Sequence, residues 1–195
     1  DSLGKIASFT EKPSKNEAKS SWVNAGTYIL EPDVLEFLPN ATSSMFETEL
    51  FPKLLKLGCP IYGFCSESYW LDMGTPSGYL SLNRDLMPER KPVFSQEIWQ
   101  GKLPTEPVTL DGSTIHRSVK FEGSVFMGKR CKVSEDVLLK GFVVLGEGCV
   151  IGPGSVIENC VLWNNVILGD MCSLDGSVVA TGANLGTGVN IREGC

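Results

Sequence analysis

Histidine is nearly absent from the 195 residues, with His116 the single example. The seven cysteines show no C-x-x-C spacing, so the sequence offers no ligand set for a structural zinc site. An odd count without a framework spacing, with several cysteines standing where valine stands elsewhere, points to reduced thiols packed as small apolar side chains rather than to disulfides. There is no run of lysine or arginine and the formal net charge is -6, which removes the electrostatic footprint of a nucleic-acid binder. An acidic chain can still hold phosphate through a few placed cations. No apolar stretch approaches the roughly 20 residues that span a bilayer, and no charged segment leads into a short apolar run at the start. No membrane partner is expected, and the location is expected to be cytoplasmic.

What is present is ordinary in bulk and patterned in detail. A hydrophobic content of 42% suits a chain with a real core, and the length holds one large domain or two modest ones. The chain opens at Asp1, almost inside an expected strand over 5–9, which reads as though an upstream segment were missing.

The second half repeats every six residues. Ile115, Phe121, Met127, Val133, Leu139, Leu145, Ile151 and Ile157 form an unbroken apolar series. At this hydrophobic content eight in a row in a fixed frame arise by chance roughly once in a thousand trials. Two residues ahead of each stands a small or β-branched partner: Ser113, Val119, Val125, Cys131, Val137, Val143, Cys149 and Ser155. After Ile157 the register slips by one and resumes at Leu162, Leu168, Leu174 and Ala180, with Cys160, Val166, Cys172 and Val178 in the small position. Asn184 and Asn190 then take the small position, a weakening expected near a cap. Six residues do not fit a 3.6-residue helical stripe, but they suit short strands joined by sharp turns. The pattern resembles the left-handed parallel β-helix of hexapeptide-repeat proteins, in which three sixes make one triangular coil. Open ends of such a stack expose strand edges, which makes a homo-oligomer the expected assembly.

The first half carries three motifs. Ile6-Ala7-Ser8-Phe9-Thr10-Glu11-Lys12-Pro13 reads as a strand ending in a charged pair, with Pro13 holding Lys12 out of helical geometry. Lysine at a strand end suits a phosphate and Glu11 can accept from hydroxyls; a solvated surface turn is the alternative. Trp22-Val23-Asn24-Ala25-Gly26-Thr27-Tyr28-Ile29-Leu30 reads as a strand whose central Gly26 marks either the close approach of a ligand or a β-bulge, with Asn24 beside the gap. Pro32 opens a short helix, and a second runs through Phe46 to Leu57, with Pro52 moving its start later and Gly58 ending it. Phe51, Leu54, Leu55 and Leu57 read as core. Pro60 to Cys65 reads as a strand. Tyr69-Trp70-Leu71-Asp72-Met73-Gly74-Thr75-Pro76 then sets Asp72 on a tight turn before a helix that Thr75 caps and Pro76 begins. A carboxylate there can ligate a hard cation beside phosphate oxygens, or merely satisfy the amides of the turn.

Taken in order, F-x-E-K-P, N-A-G and Y-W-L-D-M-G-T-P followed by a six-residue repeat resemble the sugar-phosphate nucleotidylyltransferases, most closely those of the mannose-1-phosphate guanylyltransferase and glucose-1-phosphate nucleotidylyltransferase types with a C-terminal β-helix. The resemblance implies part of an α/β, Rossmann-like nucleotidyltransferase domain over 1–92, a linker over 93–110 and an all-β left-handed parallel β-helix over 111–195. It implies that Glu11 bonds sugar hydroxyls, that Lys12 neutralises the sugar phosphate, that Asn24 and Gly26 line the sugar pocket, that Trp70 shapes its wall, and that Asp72 is one of two carboxylates holding Mg2+. The implied reaction joins a nucleoside triphosphate to a sugar 1-phosphate with release of pyrophosphate, an in-line phosphoryl transfer in which alignment and charge compensation supply most of the rate. The family's glycine-rich G-x-G-[ST]-R-[LM] loop and the second aspartate do not occur in these residues, so this chain alone is expected not to turn over. Two other readings stay open: a non-catalytic β-helical subunit for assembly or regulation, and a hexapeptide acyltransferase. The latter needs a histidine base, and His116 at the first coil reads as a surface residue.

Overall fold

The computed structural model describes residues 4–10, 16, 20–38, 44–87 and 112–192. The contacts divide the chain into two compact units, Asp1–Trp70 and Leu71–Cys195.

In the first unit an aromatic cluster forms the core. A 3-10 turn at Pro32–Phe37 is followed by one π-helical turn, Phe46–Leu50, which runs into helix α1, Phe51–Lys56. Pro52 sits in the first turn of α1, but the helical path already starts at Phe46 and only its α-helical part is delayed. At the other end the amide of Cys59 donates to the Leu54 carbonyl and that of Gly58 to the Leu55 carbonyl, a Schellman closure that needs the positive φ of Gly58. Leu50, Phe51 and Leu54 are buried, whereas Leu57, the C-cap residue just before Gly58, is exposed and is not a core residue. Phe9 stacks on Phe51 with ring centroids 4.8 Å apart, and Tyr28 meets the same ring edge-on at 5.0 Å.

The three strands expected in this half do not form a ladder among the described residues. Residues 4–6 and 61–63 meet antiparallel at a single bridge, Lys5 with Tyr62, with the Ile6 amide donating to the Ile61 carbonyl at 2.8 Å. Residues 22–30 form no ladder with another segment among the described residues. Extended backbone becomes a strand only where another segment meets its N–H and C=O groups.

The second unit is a parallel β-helix. Strands β1 (Thr114–Ile115), β3 (Lys132–Val133), β5 (Val150–Ile151), β7 (Ile167–Leu168) and β10 (Asn184–Leu185) stack into one face. The second sheet bends round a corner and supplies the other two faces: β2 (Lys120–Met127), β4 (Leu138–Leu145), β6 (Val156–Leu162), β8 (Ser173–Asp175), β9 (Val178–Val179) and β11 (Asn190–Ile191). All pairings are parallel, and the large apolar series points inward, with Met127, Leu139, Leu145, Ile151, Ile157 and Leu162 wholly buried. Each such side chain contributes about 1.5–3 kcal/mol relative to exposure. Cys131, Cys149, Cys160 and Cys172 are buried free thiols in the small position, as their alternation with valine implies.

Coil length changes along the stack. Phe121 pairs with Leu139 and Met127 with Leu145, 18 residues on, whereas Leu145 pairs with Leu162 and Ile151 with Leu168, 17 residues on. The residue is lost at the bend of the second sheet, where Lys140 pairs with Glu158 but Val143 pairs with Cys160. Asn159 takes φ 50 there, and its Oδ1 occupies the space a Cβ on Gly141 would need, 2.2 Å from it. The next coil is equally short. Leu162 therefore pairs with Val179, and the inward pair is Ser177 and Val179, not Val178 and Ala180. Ala183 with Leu185 and Val189 with Ile191 then pack against the core, while Asn184 and Asn190 are exposed, so the expected weakening by asparagine is absent.

Helix α2, Pro76–Asp85, belongs to this second unit and lies on the face made by the later halves of β2, β4 and β6. Outward Val161 and Phe142, buried together with Met87, pack with Tyr79, Leu80, Phe126 and Val144. This explains why a β-helix face carries apolar residues on its outer side. Trp163, at the corner after β6, donates from Nε1 to the Tyr79 Oη at 3.1 Å, and the rings meet edge-on with centroids 6.1 Å apart.

Candidate functional site

Asp72 stands where the sequence places it, on the turn before α2. Its Oδ1 accepts from the Gly74 amide at 2.9 Å, while Oδ2 has no hydrogen bond among the described residues, and the side chain is exposed. The helix that follows starts as its sequence dictates: the Thr75 Oγ1 accepts from the Gly78 amide at 3.1 Å, and Pro76 occupies the first turn. A Cβ added to Gly78 would lie 2.6 Å from the Asp72 carbonyl oxygen, so the backbone of Asp72 is seated against the first helical turn. The carboxylate thus projects from a framed turn, one oxygen committed to the backbone and one open.

Asn24 and Gly26 form a second polar group in the first unit. The Gly26 amide donates to Asn24 Oδ1 at 3.1 Å, closing an Asx turn, and Gly26 has φ 70, which by itself explains the glycine; among the described residues nothing lies within 4 Å of where its Cβ would be. Asn24 Nδ2 donates to Tyr28 Oη at 2.5 Å and to Glu47 Oε1 at 3.5 Å, and the Tyr28 hydroxyl donates to the same Glu47 oxygen at 2.6 Å. The Tyr28 hydroxyl, with Glu47's own backbone amide, holds the Glu47 carboxyl below its usual range. Glu47 escaped the sequence reading because it lies 23 residues from Asn24 and belongs to none of the motifs.

Trp70 is half-exposed, two residues before Asp72 in the chain. Glu11 and Lys12 lie outside the described residues. His116 is exposed at the first corner of the coil, where its Nδ1 shares a hydrogen bond with Ser118 Oγ at 2.8 Å.

As a metal site the described residues are incomplete. Among them no cluster of three or more histidine, cysteine, aspartate or glutamate side chains is suited to a metal ion. Asp72 offers one open oxygen, too few ligands for Mg2+. No helix among the described residues is long and apolar enough to cross a membrane.

Comparison with known proteins divides the chain much as its two patterns do. Residues 1–89 match the nucleotidyl transferase family model, and residues 109–195 match the model of the EIF2B subunit epsilon LbH domain. A UTP–glucose-1-phosphate uridylyltransferase of Synechocystis sp. is 31% identical over 175 residues, covering 87% of this chain and 43% of the relative. A mannose-1-phosphate guanylyltransferase of Mycobacterium tuberculosis is 31% identical over 176 residues, covering 90% of this chain and 42% of the relative. A glucose-1-phosphate adenylyltransferase of Desulfitobacterium hafniense is 27% identical over 180 residues, covering 85% and 41%. The chain therefore spans less than half the length of these curated relatives. Its homologues are sugar-1-phosphate nucleotidylyltransferases, with residues 1–89 similar to the nucleotidyl transferase model and residues 109–195 to the LbH model.

Proposed function

We propose that the full-length protein condenses a nucleoside triphosphate with a sugar 1-phosphate, mannose or glucose 1-phosphate first among the candidates, and releases pyrophosphate. The observation that carries this reading is Asp72, framed on the turn before α2 with one carboxylate oxygen open, inside a segment matched by the nucleotidyl transferase model. In this reading Glu11 and Lys12 meet the sugar hydroxyls and the phosphate, Asn24, Gly26 and Trp70 shape the sugar pocket, and Asp72 supplies one carboxylate toward Mg2+. The boundaries 1–92, 93–110 and 111–195 remain the proposed division into transferase segment, linker and β-helix, with the β-helix joining copies of the protein in the cytoplasm. The nucleotide side of the reaction belongs to residues outside this chain, which by itself is inactive. Offering the full-length protein nucleoside triphosphates with mannose or glucose 1-phosphate and following pyrophosphate release tests the reading; Asp72→Ala abolishes the signal, and an unchanged rate in that variant sinks the assignment.

A second reading is a non-catalytic assembly subunit, favoured by the match of residues 109–195 to an EIF2B subunit epsilon LbH domain. The same assay separates the two, since such a subunit releases no pyrophosphate with any triphosphate and sugar phosphate offered.

A further inference from the structure

We infer that Trp163, at a corner of the coil, is a positioning residue for the transfer reaction: through Tyr79 it orients the first turns of α2 and so fixes the turn that carries Asp72. This rests on the reading of Asp72 as a reaction-centre carboxylate. The linkage is continuous. The Trp163 amide donates to the Val179 carbonyl at 2.9 Å, its carbonyl accepts from the Cys149 thiol at 3.1 Å, and the preceding Leu162 is wholly buried, so the indole is mounted on the stack from both sides. Its Nε1 holds the Tyr79 hydroxyl. The amide of Tyr79 donates to the Thr75 carbonyl at 2.9 Å, and the neighbouring Gly78 sits against the Asp72 carbonyl.

What the pair adds is direction rather than burial. Leu80 and Met87 already secure α2 on Phe142 and Val161, but apolar contact is non-directional and lets a helix roll on a flat face. Trp163 stays 42% exposed, so it covers little surface, while a directional hydrogen bond of 3.1 Å and an edge-on ring contact at the N-terminal half of α2 set its rotation. A small rotation there displaces Asp72, because no Cβ-sized gap separates its carbonyl from the helix.

The test compares full-length wild type, Trp163→Phe, Tyr79→Phe and the double variant. Both single changes keep a ring at the contact and remove one hydrogen-bonding group. Each single variant loses about 5–20-fold in kcat, as a small misplacement of a reacting group does, with KM for the sugar 1-phosphate held within about twofold. The double variant is no slower than the slower single, because both changes break one bond. Thermal midpoints stay within about 2 °C of wild type. Amide hydrogen exchange over residues 72–79 accelerates in the variants, and this readout does not depend on turnover. Unchanged exchange in that segment overturns the inference whatever the activity, as does a rate loss that is additive or follows a fall in thermal midpoint. A wild-type protein that releases no pyrophosphate overturns the functional reading instead.

Discussion

The α-carbon of Gly78 faces the carbonyl oxygen of Asp72 so closely that a methyl group on it would sit 2.6 Å from that oxygen. Helix propensity alone favours alanine over glycine at an interior helical position by roughly 1 kcal/mol. The contact reverses the sign. Gly78→Ala pushes the turn off α2, costs about 1–3 kcal/mol of stability, and lowers pyrophosphate release by the full-length protein more than tenfold. Thermal melts and the rate assay check both parts; a stabilised and fully active variant refutes the account of the turn.

Asn24 depends on a residue distant in sequence. Removing the Glu47 carboxylate takes away one acceptor of the Tyr28 hydroxyl and one of Asn24 Nδ2. Glu47→Ala therefore raises KM for the sugar 1-phosphate about tenfold, the loss of one charge-assisted hydrogen bond, and affects kcat less. Steady-state kinetics against sugar phosphate concentration measure the split.

The second shortening of the coil makes two adjacent residues unequal. Val179 is 7% exposed and Ala180 lies outside on the next corner. Val179→Asp buries an unpaired carboxylate and costs more than about 3 kcal/mol, whereas Ala180→Asp changes stability by no more than about 0.5 kcal/mol. Chemical denaturation of the two variants distinguishes the registers, and the opposite order would restore the single-slip pattern.

Alkaline pH is a selective probe of the thiols. Burial raises the Cys160 thiol to about 11, and Cys149 is pushed up by its neighbour Cys131 and by burial. The unfolded chain ionises its thiols near pH 9 while the native coil keeps these protons, so stability is fully present below that pH and falls as pH rises toward 11. For Cys160 the loss approaches about 2–3 kcal/mol. Cys160→Val, which places at this position the residue found at Val125 and Val143 on the same face, removes that share of the alkaline slope. Denaturation midpoints between pH 8 and 11 measure it.

Much of this was legible in the residues, and each success has a local cause. The six-residue period is a statement about which side chains face inward, and inward positions tolerate only apolar or small groups, so the coil follows from spacing. Thr75-Pro76 and Gly58 mark helix ends because a cap is made within four residues of the chain. The strands expected over 5–9, 22–30 and 60–65 form no ladder among the described residues for the complementary reason: a strand needs a partner, and alternation of side chains does not say which segment supplies it.

The sequence by itself thus determined that the second half coils, that Cys131, Cys149, Cys160 and Cys172 are core thiols and that Asp72 stands on the turn before a helix. Only the tertiary structure decided the register after Leu174, since Val178 with Ala180 and Ser177 with Val179 are equally plausible small-and-apolar pairs until Leu162 in the coil beside them selects Val179. It also decided that α2 rests on the coil through Tyr79 and Trp163, 84 residues apart, and that Glu47 holds Asn24. Hydrophobic periodicity and capping act along the chain and leave their mark in consecutive residues. Pairings between side chains far apart in sequence depend on how finished elements stack, and no local pattern encodes them.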